Sequence, residues 1–498
     1  MNWNQQAFIT KRKSSYWFWT AVLLMLVPCF FFMERMPVQL WDESRLAINA
    51  AEMSESGNWL VTTFDGKIDN WNTKPPLLIW MQAMLIRVFG LSIWAIRLPS
   101  AIAGLLTGIL LFRFITKNSN SHIWAVLSVI VLFTAHGYVR EHILRTGDYD
   151  ALLVLFTTFY AICYTQFLST RQTRDLYLFF SGLTLAVLTK SVAGLFLLPS
   201  LFLYTLYRKQ LFFLLKSRHF YMGICAFVLL VSAYYLGRES VQPGYLDRVR
   251  TNEWSGRFMN TVEAHRHPFY YYINNLSGGR FSYWFPLLVA GVVMIFYTKN
   301  ENTRSLGIFS LFMAVPFLFL ISAAETKLLW YDGPVFPFLA ILASLPLYLG
   351  YPYLLQLSKK KQHQWKYYGF AVLFVLILLI PYGIMVHKIG FKADSDIVRK
   401  EYAIPRYISR LIKSGTRIPP QKILSDIYNP HYQFPVLVAQ DQGYDIALIE
   451  PAEEQEDDLI LTNEEKMVRY LYANYEIQKD ELWEGLRAIK TGKRKSDH

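Results

Sequence analysis

The chain has 498 residues, of which 53% are hydrophobic, 16% are aromatic and only 17% are charged, and its formal net charge is +13. Soluble domains carry about 25% charged residues, so this composition excludes an ordinary soluble enzyme and places the chain among membrane proteins. The basic residues cluster at the ends of apolar segments, which indicates membrane topology and not nucleic-acid binding. The cysteines lie inside apolar runs and form no Cys-x-x-Cys pair, so neither a disulfide framework nor a cysteine metal site is expected.

The first apolar run, Tyr16–Met33, follows Lys11-Arg12-Lys13 and is long enough to cross a membrane. Positive charge before it predicts a cytoplasmic N-terminus. Further apolar runs predict a polytopic α-helical membrane protein with about eleven spanning helices. The additional predicted spans are residues 96–115, 123–139, 151–168, 176–188, 192–207, 220–236, 281–297, 306–321, 333–349 and 367–386.

The segments between the predicted spans sort into two chemically different sets. Alternating the spans across a membrane places Lys and Arg at every inner turn, as the positive-inside rule requires. The segments rich in acids, histidines and aromatic residues then all fall on the outer face. We therefore expect a membrane protein whose chemistry takes place on the outer face.

The first outer loop, residues 35–95, is longer and more polar than a connector requires. Within it, Glu43–Ser56 has the pattern of an amphipathic helix that ends at Gly57 and is expected to lie in the membrane interface. The Pro75-Pro76 pair suits the first turn of a second helix, Leu77–Phe89.

The apolar runs end near residue 388, which divides the chain into a predicted transmembrane domain, 1–387, and a predicted periplasmic α/β domain, 388–498. Periodicity in the second part predicts helices within 407–412 and 464–475. It also predicts strands within 422–427, 445–450 and 458–462. The basic tail Lys490–Lys495 is expected to be disordered.

The first outer loop carries candidate catalytic groups. Asp42 is a candidate general base or substrate ligand, and Glu43 is a second candidate acid, but both also suit the start of a helix. Lys74 is either a phosphate partner held by the adjacent prolines or an interfacial lysine whose ammonium reaches water.

Other outer segments add further candidates. Asp150 opens a predicted helix, so it is either a functional acid or a cap. His265 with an acid is compatible with a metal ion, although the spacing of Cys and His residues does not predict one. Lys190 interrupts an apolar stretch, where a lysine is costly unless it neutralises an anion or lines a wet cavity. Lys327 is another cation on the outer face. Cations suit a phosphate leaving group and carboxylates suit activation of a hydroxyl.

Motifs from these segments occur in order between about residues 15 and 350. They are Trp41-Asp42-Glu43-Ser44-Arg45, Lys74-Pro75-Pro76, Arg145-Thr146-Gly147-Asp148-Tyr149-Asp150, Leu188-Thr189-Lys190-Ser191, Gly256-Arg257-Phe258, His265-Arg266-His267-Pro268-Phe269-Tyr270-Tyr271 and Lys327-Leu328-Leu329-Trp330-Tyr331-Asp332-Gly333-Pro334. Together they resemble GT-C membrane glycosyltransferases, in particular the aminoarabinose transferases of lipid A and the dolichyl-phosphate-mannose protein mannosyltransferases.

This resemblance implies a polyprenyl-phosphate sugar donor and transfer with inversion at the outer face. Asp42 would be the catalytic or acceptor-orienting carboxylate and Asp150 the second acid, with Glu43 beside them. The remaining predicted site residues are Lys74, Arg45, Arg145, Arg257 and Lys327 at the donor phosphate or its cavity, and His265, Tyr271 and Tyr331 elsewhere in the site.

One position departs from the pattern of the aminoarabinose transferases. Those enzymes usually carry an acid directly before the Lys-Pro pair, where it helps to bind a metal, and this chain has Thr73 there. The substitution argues against a bound divalent metal and against aminoarabinose as the sugar.

We therefore predict a monomeric glycosyltransferase that moves a sugar from a polyprenyl-phosphate donor to lipid A, another glycolipid, a glycan or a protein. The alternative is a transporter or flippase for lipid-linked saccharides. Transporters usually contain internal repeats and polar residues near mid-membrane, and this sequence shows no repeat and gathers its charges at one face. A lipid-binding relative without catalytic activity is a third possibility.

Overall fold

The computed structural model describes residues 3–140, 142–255, 265–358 and 364–495, and most of these residues are helical. Helices up to residue 390 are Trp3–Phe30, Asp42–Ser56, Leu77–Phe89, Ile93–Ser119, His122–Thr134, His136–Val139, Asp150–Thr170, Thr173–Lys190, Leu198–Tyr207, Leu211–Leu215, Arg218–Val241, Tyr245–Val249, Tyr271–Asn275, Phe285–Tyr297, Glu301–Ala323, Phe336–Ser358 and Gln364–Gly390. Tighter or wider helical turns cover Ser191–Leu195, Arg250–Ser255, Leu276–Arg280 and Leu329–Val335.

The described part of the chain contains seven helical segments long and apolar enough to cross a membrane. They are Ile93–Ser119, Asp150–Thr170, Thr173–Leu195, Arg218–Val241, Glu301–Ala323, Leu329–Ser358 and Gln364–Gly390. The segments Tyr271–Arg280 and Phe285–Tyr297 make an eighth candidate that is bent by 119°. Each predicted span falls on one of these helices or on a shorter apolar helix, which confirms a polytopic helical membrane protein.

One predicted boundary was placed too early, because the helix Thr173–Lys190 continues into the turn Ser191–Leu195. Gly194 makes this turn possible. A Cβ on Gly194 would lie 2.6 Å from the carbonyl carbon of Ala186 and 2.7 Å from the amide nitrogen of Val187. The chain therefore folds back closely against its own helix just after Lys190.

The chain forms two compact units. The membrane unit comprises Met1–Phe31, Asp69–Leu78 and Leu98–Gly390. The loop–sheet unit comprises Phe32–Ile68, Ile79–Arg97 and Phe391–His498. Part of the first outer loop thus belongs to the same unit as the C-terminal segment, and the division at residue 388 stays a prediction.

The C-terminal segment contains a five-stranded mixed sheet in the order β4-β3-β5-β7-β6. β3 (Gln421–Leu424) is parallel to both β4 (Ile446–Ile449) and β5 (Leu459–Thr462). β7 (Leu486–Arg494) is antiparallel to β5 and to β6 (Tyr475–Trp483). The helices around it are Asp396–Glu401, Ala403–Ser414, Pro430–Asp441 and Glu465–Asn474.

The predicted helices and strands of this segment are confirmed, but the prediction of a disordered tail was wrong. Residues Lys490–Arg494 belong to β7, which pairs with strands on both sides. Side chains on the two sheet faces form separate apolar clusters, one around Ile408 and Ile423 and the other around Ile460 and Leu471. Burial of these faces explains why the sheet forms despite the basic charge of its last strand.

The loop helix Asp42–Ser56 is confirmed, and Gly57 ends it with φ 70°. Nine of its fifteen residues are buried, and it packs against the helix Pro430–Asp441 within the loop–sheet unit. Its apolar side therefore contacts protein. Its position in the membrane interface stays a prediction. A short hairpin follows, formed by β1 (Thr63–Phe64) and β2 (Lys67–Ile68).

Candidate active site

A buried arginine holds the segment that leads into the loop helix. Arg97 donates to Glu43 through Nε at 2.6 Å and through Nη2 at 2.8 Å. Its other N–H groups donate to the carbonyl oxygens of Met33, Met36 and Pro37, at 2.5, 2.8 and 2.8 Å. All five guanidinium donors are thus engaged. Because Arg97 is 2% exposed and Glu43 is 1% exposed, this is a buried ion pair that fixes the backbone before the helix.

Glu43 therefore occupies a position different from the one expected of a reacting carboxylate. Besides the two contacts with Arg97, its carboxylate accepts a hydrogen bond at 2.9 Å from the backbone N–H of Gln39. Arg97 was not among the residues predicted from the sequence. The sequence feature that could have indicated its role is a single arginine near the outer end of an apolar helix, because a charge in that position needs a buried anion.

Asp42, in contrast, is exposed and is the first residue of the loop helix. The residue before it, Trp41, is also exposed and has φ 76° and ψ −116°, a conformation that non-glycine residues rarely adopt. The turn thereby presents the Asp42 carboxylate and the Trp41 indole at the surface of the loop–sheet unit.

Arg45 lies one helical turn further on, among aromatic side chains. Its Nη1 donates to the Tyr428 hydroxyl at 3.1 Å, and its guanidinium lies 4.4 Å from the centroid of the Phe64 ring. Its predicted role at the donor phosphate stays a prediction. Within its own unit, Arg45 joins the loop helix to the C-terminal segment.

In the membrane unit, Lys74 is paired with an acid that the sequence analysis did not assign to it. Its Nζ lies 3.2 Å from Glu253 Oε1, and the two side chains are 16% and 7% exposed. The same carboxylate oxygen accepts a hydrogen bond at 3.2 Å from the hydroxyl of Thr73. The Thr73 carbonyl in turn accepts from the Tyr245 hydroxyl at 2.8 Å.

This arrangement bears on the metal suggested by the family resemblance. A divalent ion at position 73 would need an anionic oxygen ligand, and threonine provides only a neutral hydroxyl. The nearby carboxylate of Glu253 already contacts an ammonium group. These donors do not fit a divalent metal at this position, so no chemical step below is derived through one.

Asp150 and Lys190 form a second buried ion pair in the membrane unit. Lys190 Nζ donates to the two carboxylate oxygens of Asp150 at 2.7 and 2.6 Å. The side chains are 8% and 3% exposed, and the ammonium lies 5.5 Å from the centroid of the Tyr331 ring. The structure thus brings together a predicted acid, the isolated lysine and a predicted site tyrosine. The lysine neutralises an anion, which was one of the two alternatives for a charge in an apolar stretch.

The remaining predicted residues of the membrane unit have separate surroundings. Arg145 Nη1 donates to the carbonyl of Pro28 at 3.1 Å. Lys327 Nζ donates to the carbonyl of Ala324 at 2.5 Å, and its backbone N–H donates to the carbonyl of His265 at 3.0 Å. Burial lowers the pKa of Lys327, and the nearby Glu325 carboxylate opposes that shift. Tyr271 stacks on His267 with ring centroids 4.1 Å apart. Arg257 lies outside the described residues.

Two further contacts were missed although Asp148, Trp330 and Asp332 stand in the quoted motifs. Asp332 is fully buried, and Arg280 donates to its two carboxylate oxygens at 2.9 and 2.6 Å. His142 stacks on Trp330 with ring centroids 3.5 Å apart, and its Nδ1 lies 3.4 Å from Asp148. Arg280 and Asp332 are 52 residues apart in sequence, and His142 and Trp330 are 188 apart, so no local pattern could have indicated either contact.

Comparison with known proteins gives consistent matches. Residues 73–235 match the family described as Dolichyl-phosphate-mannose-protein mannosyltransferase. An uncharacterized protein of Aquifex aeolicus is 27% identical over 331 residues, which cover 65% of this chain and 63% of that relative. The undecaprenyl phosphate-alpha-4-amino-4-deoxy-L-arabinose arabinosyl transferase of Shewanella sediminis is 30% identical over 335 residues, which cover 64% of this chain and 59% of that protein. The chain thus spans about three-fifths of the length of these curated relatives.

The fold is also that of a solved protein. The crystal structure of ArnT from Cupriavidus metallidurans bound to undecaprenyl phosphate aligns with a TM-score of 0.69 and 15% identity. The alignment covers 96% of this chain and 98% of that one. Likeness at this identity shows the fold, and the fold predicted from the motifs is thereby confirmed.

Proposed function

We propose that this chain, a GT-C protein with a domain of the dolichyl-phosphate-mannose-protein mannosyltransferase family, is a membrane glycosyltransferase. It transfers a sugar from a polyprenyl-phosphate donor to an acceptor of the cell envelope. The acceptor is lipid A, another glycolipid, a glycan or a protein. Undecaprenyl phosphate is the lipid carrier we expect, because relatives of this chain are named for it.

The observation that carries this proposal is the low exposure of the Lys74 ammonium and its contact with Glu253. Its ammonium is nearly buried, stands just before the apolar helix Leu77–Phe89 and contacts the carboxylate of Glu253. A lipid phosphate that arrives from the bilayer competes with this carboxylate for the ammonium, since both are anionic oxygen groups. A largely desolvated cation stabilises the negative charge that develops on a leaving phosphate more strongly than a hydrated one does.

The chemistry we propose is a single displacement. The acceptor hydroxyl attacks the anomeric carbon of the donor sugar, and the exposed carboxylate of Asp42 accepts its proton. The bond between that carbon and the phosphate oxygen breaks, and the polyprenyl phosphate leaves with the electron pair. Lys74 stabilises the departing phosphate. Attack opposite the leaving group inverts the configuration of the anomeric carbon.

Glu43 and Asp150 have a different role in this proposal. Each is buried and accepts two hydrogen bonds from one cationic partner, Arg97 and Lys190 respectively. Both oxygens of each carboxylate are occupied by the cationic partner, which leaves them less accessible to a substrate hydroxyl. We therefore assign both as positioning residues, and Asp42 alone as the general base.

The orientation of the protein is also part of the proposal. Basic residues at the inner turns favour a cytoplasmic N-terminus and a site on the periplasmic side of the inner membrane. We expect the protein to act as a monomer. The flippase alternative has less support, because the fold and the family match are those of glycosyltransferases.

The test compares envelope lipids and glycans, by mass spectrometry, from cells with and without the protein. A sugar addition that depends on the protein identifies the product. The purified chain in lipid nanodiscs is then assayed with the corresponding labelled donor. Asp42→Asn should abolish transfer and retain undecaprenyl phosphate binding, whereas Asp396→Asn, at another exposed acid of the same unit, should retain both.

Lys74→Ala should weaken undecaprenyl phosphate binding, and Lys67→Ala, at an exposed lysine of the hairpin, should not. Turnover near that of the parent in Asp42→Asn contradicts the assignment of the base. Parent-like phosphate binding in Lys74→Ala contradicts the phosphate role. Movement of the intact donor across the bilayer without sugar transfer would favour the flippase.

A further inference from the structure

Three aromatic rings from distant parts of the chain form a stack in the loop–sheet unit. The rings of Trp41 and Tyr428 lie 5.4 Å apart at an interplanar angle of 27°. The Phe64 ring lies 6.2 Å from that of Tyr428 at an interplanar angle of 28°. Trp41 is 64% exposed, so much of its indole surface is not covered by other residues of the chain.

The conformation of Trp41 is imposed by its surroundings. Its positive φ is unfavourable for a bulky residue, and such strain persists only where neighbouring contacts hold it. The hydroxyl of Tyr402 accepts a hydrogen bond at 3.1 Å from the N–H of Leu40, just before Trp41. The carbonyl of Trp41 accepts from the N–H of Arg45 at 3.1 Å and from the Ser44 hydroxyl at 3.1 Å. A costly backbone conformation thus keeps a large apolar ring uncovered by the rest of the chain.

The position of Tyr428 in the sheet is a second, independent indication of a binding site. Tyr428 lies in the segment that follows β3, between that strand and the helix Pro430–Asp441. β3 has a parallel neighbour on each side, and the chain first adds β4 on one side and then crosses to β5 on the other. Ligands of open α/β sheets bind beyond the carboxyl ends of the strands at such a reversal of strand order.

We propose that Trp41 and Tyr428 form a binding subsite for a saccharide ring of the acceptor. The exposed face of an indole packs against the C–H groups on one face of a sugar ring. Arg45, which contacts both Tyr428 and Phe64, brings a positive charge to the same stack, so the subsite favours a sugar that carries an anionic group.

The inference rests on the proposed function, and one fact assigns the subsite to the acceptor and not to the donor. Trp41 directly precedes Asp42, the residue proposed to take the proton of the acceptor hydroxyl. The C-terminal segment thereby acquires a function in choosing the acceptor.

The experiment uses the full chain in lipid nanodiscs and an array of bacterial envelope saccharides that includes deacylated lipid A, a phosphorylated glucosamine disaccharide. The affinity for the saccharide that the parent binds is measured by calorimetry in Trp41→Ala, Tyr428→Ala and Trp41→Phe. From the strength of aromatic stacking, Trp41→Ala should lose about 3- to 10-fold in affinity. Trp41→Phe keeps a flat ring and should retain most of it. Undecaprenyl phosphate binding should stay unchanged in all three.

Trp483→Ala is the matched control. Trp483 also belongs to the loop–sheet unit, has Tyr407 beside it at 5.7 Å and has the Arg410 guanidinium 4.8 Å from its ring. Its replacement should leave saccharide affinity unchanged. A parent that binds no saccharide of the array, parent-like affinity in Trp41→Ala, or equal losses in Trp41→Ala and Trp483→Ala would each overturn the inference. Absence of sugar transfer by the parent overturns the proposed function instead, so the two failures are distinguishable.

Discussion

The buried pair of Arg97 and Glu43 permits a quantitative test of how the first outer loop is held. Arg97→Met removes both contacts to Glu43 and leaves a carboxylate without its cation at a site 1% exposed to solvent. Breaking a buried ion pair in this way costs about 3–5 kcal/mol. It also leaves the carbonyls of Met33, Met36 and Pro37 without their donor, and each such loss adds about 1 kcal/mol.

A second variant separates these two costs. In the double variant Arg97→Met with Glu43→Leu the stranded charge is gone, and apolar replacement of a whole buried pair is often close to neutral. The double variant should therefore regain most of the free energy of unfolding lost by breaking the ion pair. It should remain about 3 kcal/mol less stable than the parent, because the three carbonyls still lack their donor. Glu43→Leu alone should cost about 3–5 kcal/mol, less than Arg97→Met, because it leaves the guanidinium without its anion but keeps its hydrogen bonds to the three carbonyls.

Two measurements on the chain in nanodiscs check this prediction. Hydrogen–deuterium exchange of residues 33–46 reports local opening, and thermal unfolding reports overall stability. If the losses of the single variants simply add in the double variant, the pair does not stabilise the loop as described. Sugar transfer provides a further criterion. A Glu43→Gln variant that keeps parent-like protection of residues 33–46 but loses transfer would show that Glu43 acts in the reaction and not in positioning.

The other predictions concern the second ion pair and a buried histidine. Lys190→Met should lower the free energy of unfolding by about 3–5 kcal/mol, because it leaves the buried Asp150 carboxylate without its cation. Adding Asp150→Leu should recover most of the lost stability. A double variant no more stable than Lys190→Met would show that the pairing is wrong. Burial lowers the pKa of His431 from 6.5 to about 4, so between these values the unfolded chain binds a proton that the folded chain excludes. Above pH 6.5 the imidazole is neutral in both states and the folded chain keeps its full stability. As the pH falls from 6.5 to 4, the free energy of unfolding decreases by about 3 kcal/mol. Thermal unfolding from pH 7.5 to 4.5 should therefore decline more steeply in the parent than in His431→Phe, and parallel declines would refute the assignment.

The membrane architecture could be predicted from the sequence because apolar length and loop charge are local properties. Eleven apolar runs all correspond to helices, and Gly57 ends the loop helix as its position in the pattern indicated. The motifs around Asp42 and Lys74 identified the correct fold for the same reason, since they are short and occur in a fixed order.

Pairings between distant residues could not be predicted in this way. Nothing local to Lys190 indicates that its partner lies 40 residues earlier, or that Glu253 stands beside Lys74. Arg97 is an intermediate case, because a single arginine in an apolar helix predicts a buried anion but not which one. The hairpin of β6 and β7 was predictable and was missed. Its turn, Glu484-Gly485, has two positive φ values and stands between two strands of alternating polarity, yet the basic charge of β7 favoured an interpretation as a disordered tail.

The contacts of the loop helix with the C-terminal segment have a consequence for biogenesis. Arg45 and its partner Tyr428 are separated by 383 positions, and Leu40 and Tyr402 by 362. The first outer loop is among the earliest segments to leave the ribosome, but the helix Pro430–Asp441 that covers it is synthesised after the last membrane span. Until then the helix Asp42–Ser56 can contact Thr63–Phe64 and Arg97 of its own unit but lacks its contacts with the helix Pro430–Asp441. The first outer loop of the nascent chain thus completes its folding among the last, and translation arrested before residue 430 would leave that surface available to chaperones and proteases.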